Sequence, residues 1–223
     1  MSRAKGDVEP DAAGFVLAGG RSSRMGVDKA LVELAGQPLV VHALRVLRDA
    51  GLSASIAGAH SSLAAYAPVV EDARADSGPL AGICTALAST PARYAVFVPV
   101  DLPFLPASLV ALLLHYSRVQ DAAVTVPSVN GYGQTFPAVV DRAALPAMEG
   151  SLKAGNRGCF SAFQEAAAQL CRPLGVLRVE MLVQAGQVSH PEGLPAAEWF
   201  LNVNSAADLR RADAILRTSH RVS

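Results

Sequence analysis

The chain has 223 residues, 51% of them hydrophobic, and its 19 basic residues are balanced by 19 acidic ones. That size suits one α/β domain with a well-buried core, while zero net charge speaks against a broad nucleic-acid footprint, so any anion binding must be local. No apolar run approaches the ~20 residues that span a bilayer, and Cys84, Cys159 and Cys171, odd in number and far apart, show neither zinc nor disulfide spacing and read as buried free thiols.

Residues 1–13 are polar, carry charges of both signs and lack a signal-peptide core. They read as a disordered leader on a cytoplasmic protein. Gly14–Ala18 reads as a short buried strand running into Gly19–Gly20, with a loop to about Gly36. Pro38 suits the first turn of a helix and Gly51 its stop, and Val40, Ala43, Leu44 and Leu47 recur at helical spacing between them. Ser53–Gly58 and Pro68–Val70 are expected strands, and Pro79–Ala88 a helix. Tyr94–Val100 is a continuous apolar run, as a central parallel strand covered on both faces requires. A helix over Ser108–Tyr116, strands over Ala122–Pro127 and Phe136–Val140, and a helix over Phe160–Leu170 follow. Leu174–Val179 and Phe200–Val203 are further strand candidates. Ser205 can cap a last helix, with Asp208 three residues on, running to about Leu216; residues 218–223 form a tail. Alternating strands and helices predict an α/β fold with a mostly parallel sheet, as one domain over 14–217. Such folds bind ligands at the carboxyl ends of their strands, near the switch in strand order.

The segment Leu17–Ala18–Gly19–Gly20–Arg21–Ser22–Ser23–Arg24–Met25–Gly26–Val27–Asp28–Lys29 follows the first strand. Glycines admit close backbone approach and positive φ, successive N–H groups make an anion-binding concavity, and Arg21, Arg24 and Lys29 add positive charge suited to a triphosphate. The pattern is neither a Walker A loop nor a dinucleotide fingerprint. On its glycines alone the segment reads equally well as a basic surface turn. Lys29 is one of only three lysines, with Lys5 and Lys153, in a chain otherwise rich in arginine.

Asp101 follows the Tyr94–Val100 run, placing a carboxylate at the carboxyl end of a central strand. Mg²⁺ prefers oxygen ligands shared with substrate phosphates and water there; a turn aspartate before Pro103 is the other reading. Gly78–Pro79–Leu80–Ala81–Gly82 sits before a helix whose N–H donors are free, leaving room for a base or ribose, or forming an ordinary cap. Asp72 and Asp76 are acidic loop residues. Asn202–Val203–Asn204–Ser205 can offer amides to a ligand, or make a turn and cap, the favoured reading for Asn204. The five histidines show no metal spacing, with His42 expected on a helix surface, and no nucleophile elbow is present.

The run Leu-Ala-Gly-Gly-x-x-x-Arg-Met-Gly-x-Asp-Lys at Leu17–Lys29 resembles the signature of the molybdenum cofactor guanylyltransferases. These belong to the nucleotidyltransferase superfamily, with sugar-nucleotide pyrophosphorylases and cytidylyltransferases. The resemblance spans about Gly14–Leu209, strongest in the first loop. It implies a three-layer Rossmann-like fold of the nucleotide-diphospho-sugar transferase type, GTP and molybdopterin as substrates, and Mg²⁺ on Asp101 within Asp-x-Pro-Phe. It implies Arg24, Lys29 and Asp101 as catalytic, and Leu17, Ala18, Gly19, Gly20, Lys29, Asp72, Gly78, Pro79, Leu80, Asp101, Asn202 and Asn204 at the nucleotide. Gly78–Gly82 and the Leu-Ala-Gly-Gly start favour guanine over cytosine. Two positions depart from the family: Gly58 stands near a frequent asparagine, and Gln134–Thr135–Phe136–Pro137 replaces the usual Gln-Pro-Leu at the acceptor side. Lys153 and Arg157 are candidate contacts for the acceptor phosphate or a solvated basic loop. A monomer is expected, with no nucleic-acid or membrane partner and transient contact with molybdoenzymes or cofactor-insertion proteins. The alternatives are a relative using CTP or a sugar phosphate, and a non-catalytic nucleotide-binding regulator.

Overall fold

The computed structural model describes residues 11–18, 28–58, 61–71 and 78–219. The chain runs through β1 (Ala12–Leu17), β2 (Glu33–Leu34), β3 (Gln37–Pro38), α1 (Leu39–Asp49), β4 (Ala54–Ala57), β5 (Val69–Val70), α2 (Pro79–Ser89), β6 (Tyr94–Pro99) and α3 (Ala107–Val119). It continues with β7 (Val124–Val129), β8 (Tyr132–Gly133), β9 (Ala138–Asp141), α4 (Leu145–Lys153), α5 (Cys159–Leu170), β10 (Leu174–Arg178), α6 (Val179–Gln184), α7 (Ala196–Trp199) and α8 (Ala206–Ser219).

The central sheet has the order β10-β7-β9-β6-β1-β4-β5, with β8 paired to β7. Strand β9 runs antiparallel to β6 and β7, and β8 antiparallel to β7; the other pairings in this sheet are parallel. Side chains alternate along the two central strands. Val16, Val96 and Val98 join α1 and α3 in one core, and Phe15, Leu17, Ala95 and Phe97 join α2, α4 and α5 in the other. Helices thus cover both faces, giving three layers. Gly14 is where α1 presses closest on β1: a Cβ there would meet Leu47 at 3.0 Å and the Ser53 carbonyl at 3.1 Å. Among the described residues no helix is long and apolar enough to cross a membrane.

The expected elements are recovered with shifted ends, except Phe200–Val203. Strand β1 begins at Ala12, because Ala12 and Ala13 pair with Tyr94 and Ala95 rather than trailing as leader. Phe200–Val203 is not a strand. The chain turns after α7 and crosses the sheet end in extended form, where Val203 is 1% exposed. Helix α4 had no expectation, its apolar positions being interrupted by Pro146 and Gly150. Of the cysteines, Cys84 and Cys159 are buried, and burial pushes the Cys159 thiol up to about 12. Cys171 is exposed, as the left-handed residue (φ +51°) closing α5. His42 is half-buried. Its Nε2 donates to the Leu34 carbonyl at 3.0 Å, and burial lowers the ring's pKa.

At the amino end of β6, Asp141 pairs in register with Tyr94. Its side chain is 4% exposed and accepts from Arg93 Nε at 2.9 Å, an Arg172 guanidinium nitrogen at 2.8 Å and the Ala143 N–H at 2.8 Å. Asp121 closes the network through both arginines. Burial alone would raise the Asp141 carboxyl; the Ala143 N–H, Arg172 and Arg93 outweigh it and hold the acid below its ordinary value. A depressed folded-state pKa gives stability that is full above the unfolded value of about 4 and is lost as pH falls through the folded value. Asp141→Ala should therefore cost about 1–3 kcal/mol in denaturant unfolding near neutrality, by removing the buried acceptor that Arg93, Arg172 and the Ala143 N–H share. It should also flatten the loss of stability below about pH 4.

Candidate active site

Chain progression reverses at β1: β4 and β5 lie on one side, while β6 follows on the other. Crevices over the carboxyl ends at such a point are the usual ligand sites. Leu17 and Ala18 form the rim. The Leu17 carbonyl accepts from the Val100 N–H at 3.1 Å, and the Ala18 N–H donates to Ala57 at 3.1 Å. Asp101 comes next after Val100, two residues beyond the end of β6, and Leu102–Leu105 turn back into the core.

Lys29 returns to this rim on a short 3₁₀ turn, Lys29–Leu31. Asp28 caps the turn, its carboxylate accepting the Ala30 N–H at 3.0 Å, and Ala30 and Leu34 are fully buried beneath it. The turn holds the backbone of Lys29, and its four-carbon stem reaches from there to the rim. Its Nζ donates to Asp101 Oδ2 at 2.8 Å and to Asn204 Oδ1. The Lys29 and Asp101 side chains are 17% and 23% exposed, so the pair is partly shielded but reachable.

Asn204 arrives on the extended strap after α7. Trp199, 1% exposed, anchors the strap, its indole N–H donating to Leu194 at 2.8 Å. The Val203 N–H donates to the Asp101 carbonyl at 3.0 Å. Buried Val203 alternates with exposed Asn202 and Asn204, turning both amides outward. The cap of α8 is Ser205, not Asn204. Ser205 Oγ accepts the Asp208 N–H at 3.2 Å, while Asp208 accepts from Ser205 Oγ at 2.8 Å and the Asn204 N–H at 3.0 Å. The Ser205 hydroxyl, then the Asn204 N–H, hold the Asp208 carboxyl below its ordinary value. Ser205 thus frees the Asn204 side chain to meet Lys29.

Because β5 runs parallel to β4, and β6 parallel to β1, α2 starts at this carboxyl end and returns along the sheet. Gly78 is its N-cap with φ +79° and ψ 176°, Pro79 fills the first turn, and Leu80 is fully buried. Among the described residues no side chain caps α2, and its Ala81 N–H donates to the Gly78 carbonyl at 3.2 Å. Gly58 follows β4 with φ +73°, its N–H donating to the Val70 carbonyl at 3.2 Å. Gly19, Gly20, Arg21, Arg24, Asp72 and Asp76 lie outside the described residues. Of the residues expected near an acceptor, the Gln134 N–H donates to the Pro127 carbonyl at 2.8 Å, and Lys153 and Arg157 flank the α4–α5 connection, both exposed.

Three of the sequence-derived residues, Lys29, Asp101 and Asn204, therefore meet directly. The reading of the sequence did not single out Asp28, Val203 or Trp199, which hold them there. A capping aspartate before Lys29 was the one visible signal. Among the described residues no group of three or more His, Cys, Asp or Glu could cage a metal. One carboxylate and one amide oxygen fit instead a hard cation whose remaining ligands are phosphates and water. The charge pattern suits binding and neutralising a polyphosphate.

A family model described as the MobA-like NTP transferase domain matches residues 14–170. The molybdenum cofactor guanylyltransferase of Cupriavidus metallidurans is 37% identical over 158 residues, which cover 66% of this chain and 77% of that one. Among solved structures, molybdopterin-guanine dinucleotide biosynthesis protein A from Archaeoglobus fulgidus has a TM-score of 0.74 at 21% identity, covering 92% of this chain and 99% of that one. A Mycobacterium tuberculosis protein solved in complex with manganese has a TM-score of 0.59 at 20% identity, covering 92% of this chain and 98% of that one. Both likenesses establish a shared fold.

Gly78 occupies a backbone region open essentially to glycine alone. Gly78→Ala should lower unfolding stability by about 1–3 kcal/mol, although a Cβ there meets nothing within 4 Å. Unchanged stability would show that this turn carries no such constraint.

Proposed function

The chain belongs to the MobA-like NTP transferase family, and from that premise we propose that it transfers GMP from GTP to molybdopterin. The products are molybdopterin guanine dinucleotide and pyrophosphate. The observation that carries the reading is the meeting of Lys29, Asp101 and Asn204 over the carboxyl end of the central strands. The Cupriavidus metallidurans relative bears the name of this activity.

In this reading an ionised phosphate oxygen of the acceptor attacks the α-phosphorus of GTP in line. A new P–O bond forms as the α–β bridging bond breaks, and the electron pair leaves with pyrophosphate. The acceptor is already an anion, so no protein nucleophile or strong base is needed. Alignment and charge neutralisation dominate the barrier. Lys29 and Arg24 neutralise the triphosphate and the leaving pyrophosphate. Leu17, Ala18 and the amides of Gly19 and Gly20 cradle the phosphates. Gly78, Pro79 and Leu80 offer the base and ribose a side-chain-free ledge at the start of α2, and Asp72, Asn202 and Asn204 complete the nucleotide side. Asp101 would hold a divalent ion, Mg²⁺, which when bound screens the reacting phosphates and polarises their oxygens. The Gly78–Gly82 and Leu17–Gly20 sequences favour guanine. This activity belongs in the cytoplasm and needs one copy of the chain.

The direct experiment is incubation with GTP, Mg²⁺ and molybdopterin, followed by identification of the dinucleotide and measurement of pyrophosphate release. Product should form with GTP and not with CTP. Asp101→Ala should cut its formation roughly 10³-fold and Lys29→Ala roughly 10²-fold without loss of fold. Pyrophosphate release from CTP alone, or near-normal turnover by Asp101→Ala, would contradict the assignment.

A further inference from the structure

The Lys29 ammonium stands where a cation ligand set would otherwise be open. It binds the Asp101 carboxylate and the Asn204 amide oxygen, residues 72 and 175 positions away in sequence. Both are hard oxygen donors of the kind a divalent cation takes. A cation reaching Asp101 in the free protein must break this ion pair, or sit beside the ammonium and meet its repulsion in a partly shielded site. Resting on the nucleotidyltransferase reading, we propose that Lys29 holds Asp101 in an ion-paired state that disfavours divalent-cation binding until a triphosphate draws the ammonium away.

The parts differ in freedom to move. Asp101 is held at its carbonyl by the Val203 N–H, and its turn continues into buried Leu102–Leu105. The Lys29 backbone is held by the Asp28 cap, and only the flexible stem can swing. Phosphate oxygens offer the ammonium stronger charge pairing than one carboxylate and one amide. When Lys29 turns to them, Asp101 and Asn204 are released together as oxygen ligands. Nucleotide and cation binding then favour each other, and the coupling is reciprocal. In the free protein the same lysine neutralises an acid that would otherwise stand unpaired at the strand end.

The test measures Mn²⁺ binding without nucleotide, by the electron paramagnetic resonance signal of the free ion. Lys29→Met should bind Mn²⁺ roughly tenfold more tightly than the wild-type protein, and Lys29→Met with Asp101→Asn should lose that gain. Equal affinity of wild type and Lys29→Met would overturn the proposal. A second measurement needs no substitution. In ¹⁵N-lysine-labelled wild type, with only Lys5, Lys29 and Lys153 to observe, the Lys29 Nζ resonance should ignore Mg²⁺ alone and move on addition of a non-hydrolysable GTP analogue. Movement with Mg²⁺ alone would overturn the proposal. If the wild type with that analogue holds no Mn²⁺ beyond what the free analogue binds, the metal-site reading itself fails. If it holds the ion but Lys29→Met gains nothing, only the coupling fails.

Discussion

An ammonium cannot be left half-buried beside an apolar rim without anionic or polar partners, and the one on Lys29 finds both in distant parts of the chain. That requirement ties the first loop, the central strand and the C-terminal strap into one site. Each partner is delivered by ordinary means: a capped turn for Lys29, the end of a buried parallel strand for Asp101, and a tryptophan-anchored crossing for Asn204. The Val203 N–H to the Asp101 carbonyl completes the join. Chemistry at the site needs little more than this, because a polyphosphate substrate brings its own charge.

The sheet separates stability from function along its length. At the amino end, buried Asp141 is paired with Arg93 and Arg172, and exposed Asp121 joins both arginines. At the carboxyl end, Lys29 and Asp101 keep part of their surface exposed, and among the described residues no side chain caps α2. Strong pairing at one end resists unfolding, and a replaceable pairing at the other leaves room for a ligand. A buried arginine pair around Asp101 would have stabilised the strand end and closed the site.

Much of this was readable from the sequence where local rules dominate. The apolar run Tyr94–Val100 predicted β6, the first-turn Pro79 predicted α2, and Asp101 at a strand end marked the site before any coordinates. The Ser205–Asp208 cap was also legible. The misses share a cause. Phe200–Val203 has strand-like residues, yet its Leu201 N–H turns back to Glu198 and its Val203 N–H goes to the Asp101 carbonyl, a long-range choice that no local pattern encodes. Helix α4 is interrupted by Pro146 and Gly150 and forms because α2 and α5 bury its Ala147 and Met148 face. The pairing of Asn204 with Lys29 spans most of the chain, so the sequence could nominate both residues but not join them.

The central claim is that Lys29 and Asp101 act on one charged locus. It is tested most directly by a double-mutant cycle on kcat/KM for GTP-dependent pyrophosphate release in the presence of acceptor, using Lys29→Ala, Asp101→Asn and the double variant. Shared action predicts strong non-additivity, with the double variant within about threefold of the slower single one. Losses that simply multiply would show the two side chains working independently and would contradict the account.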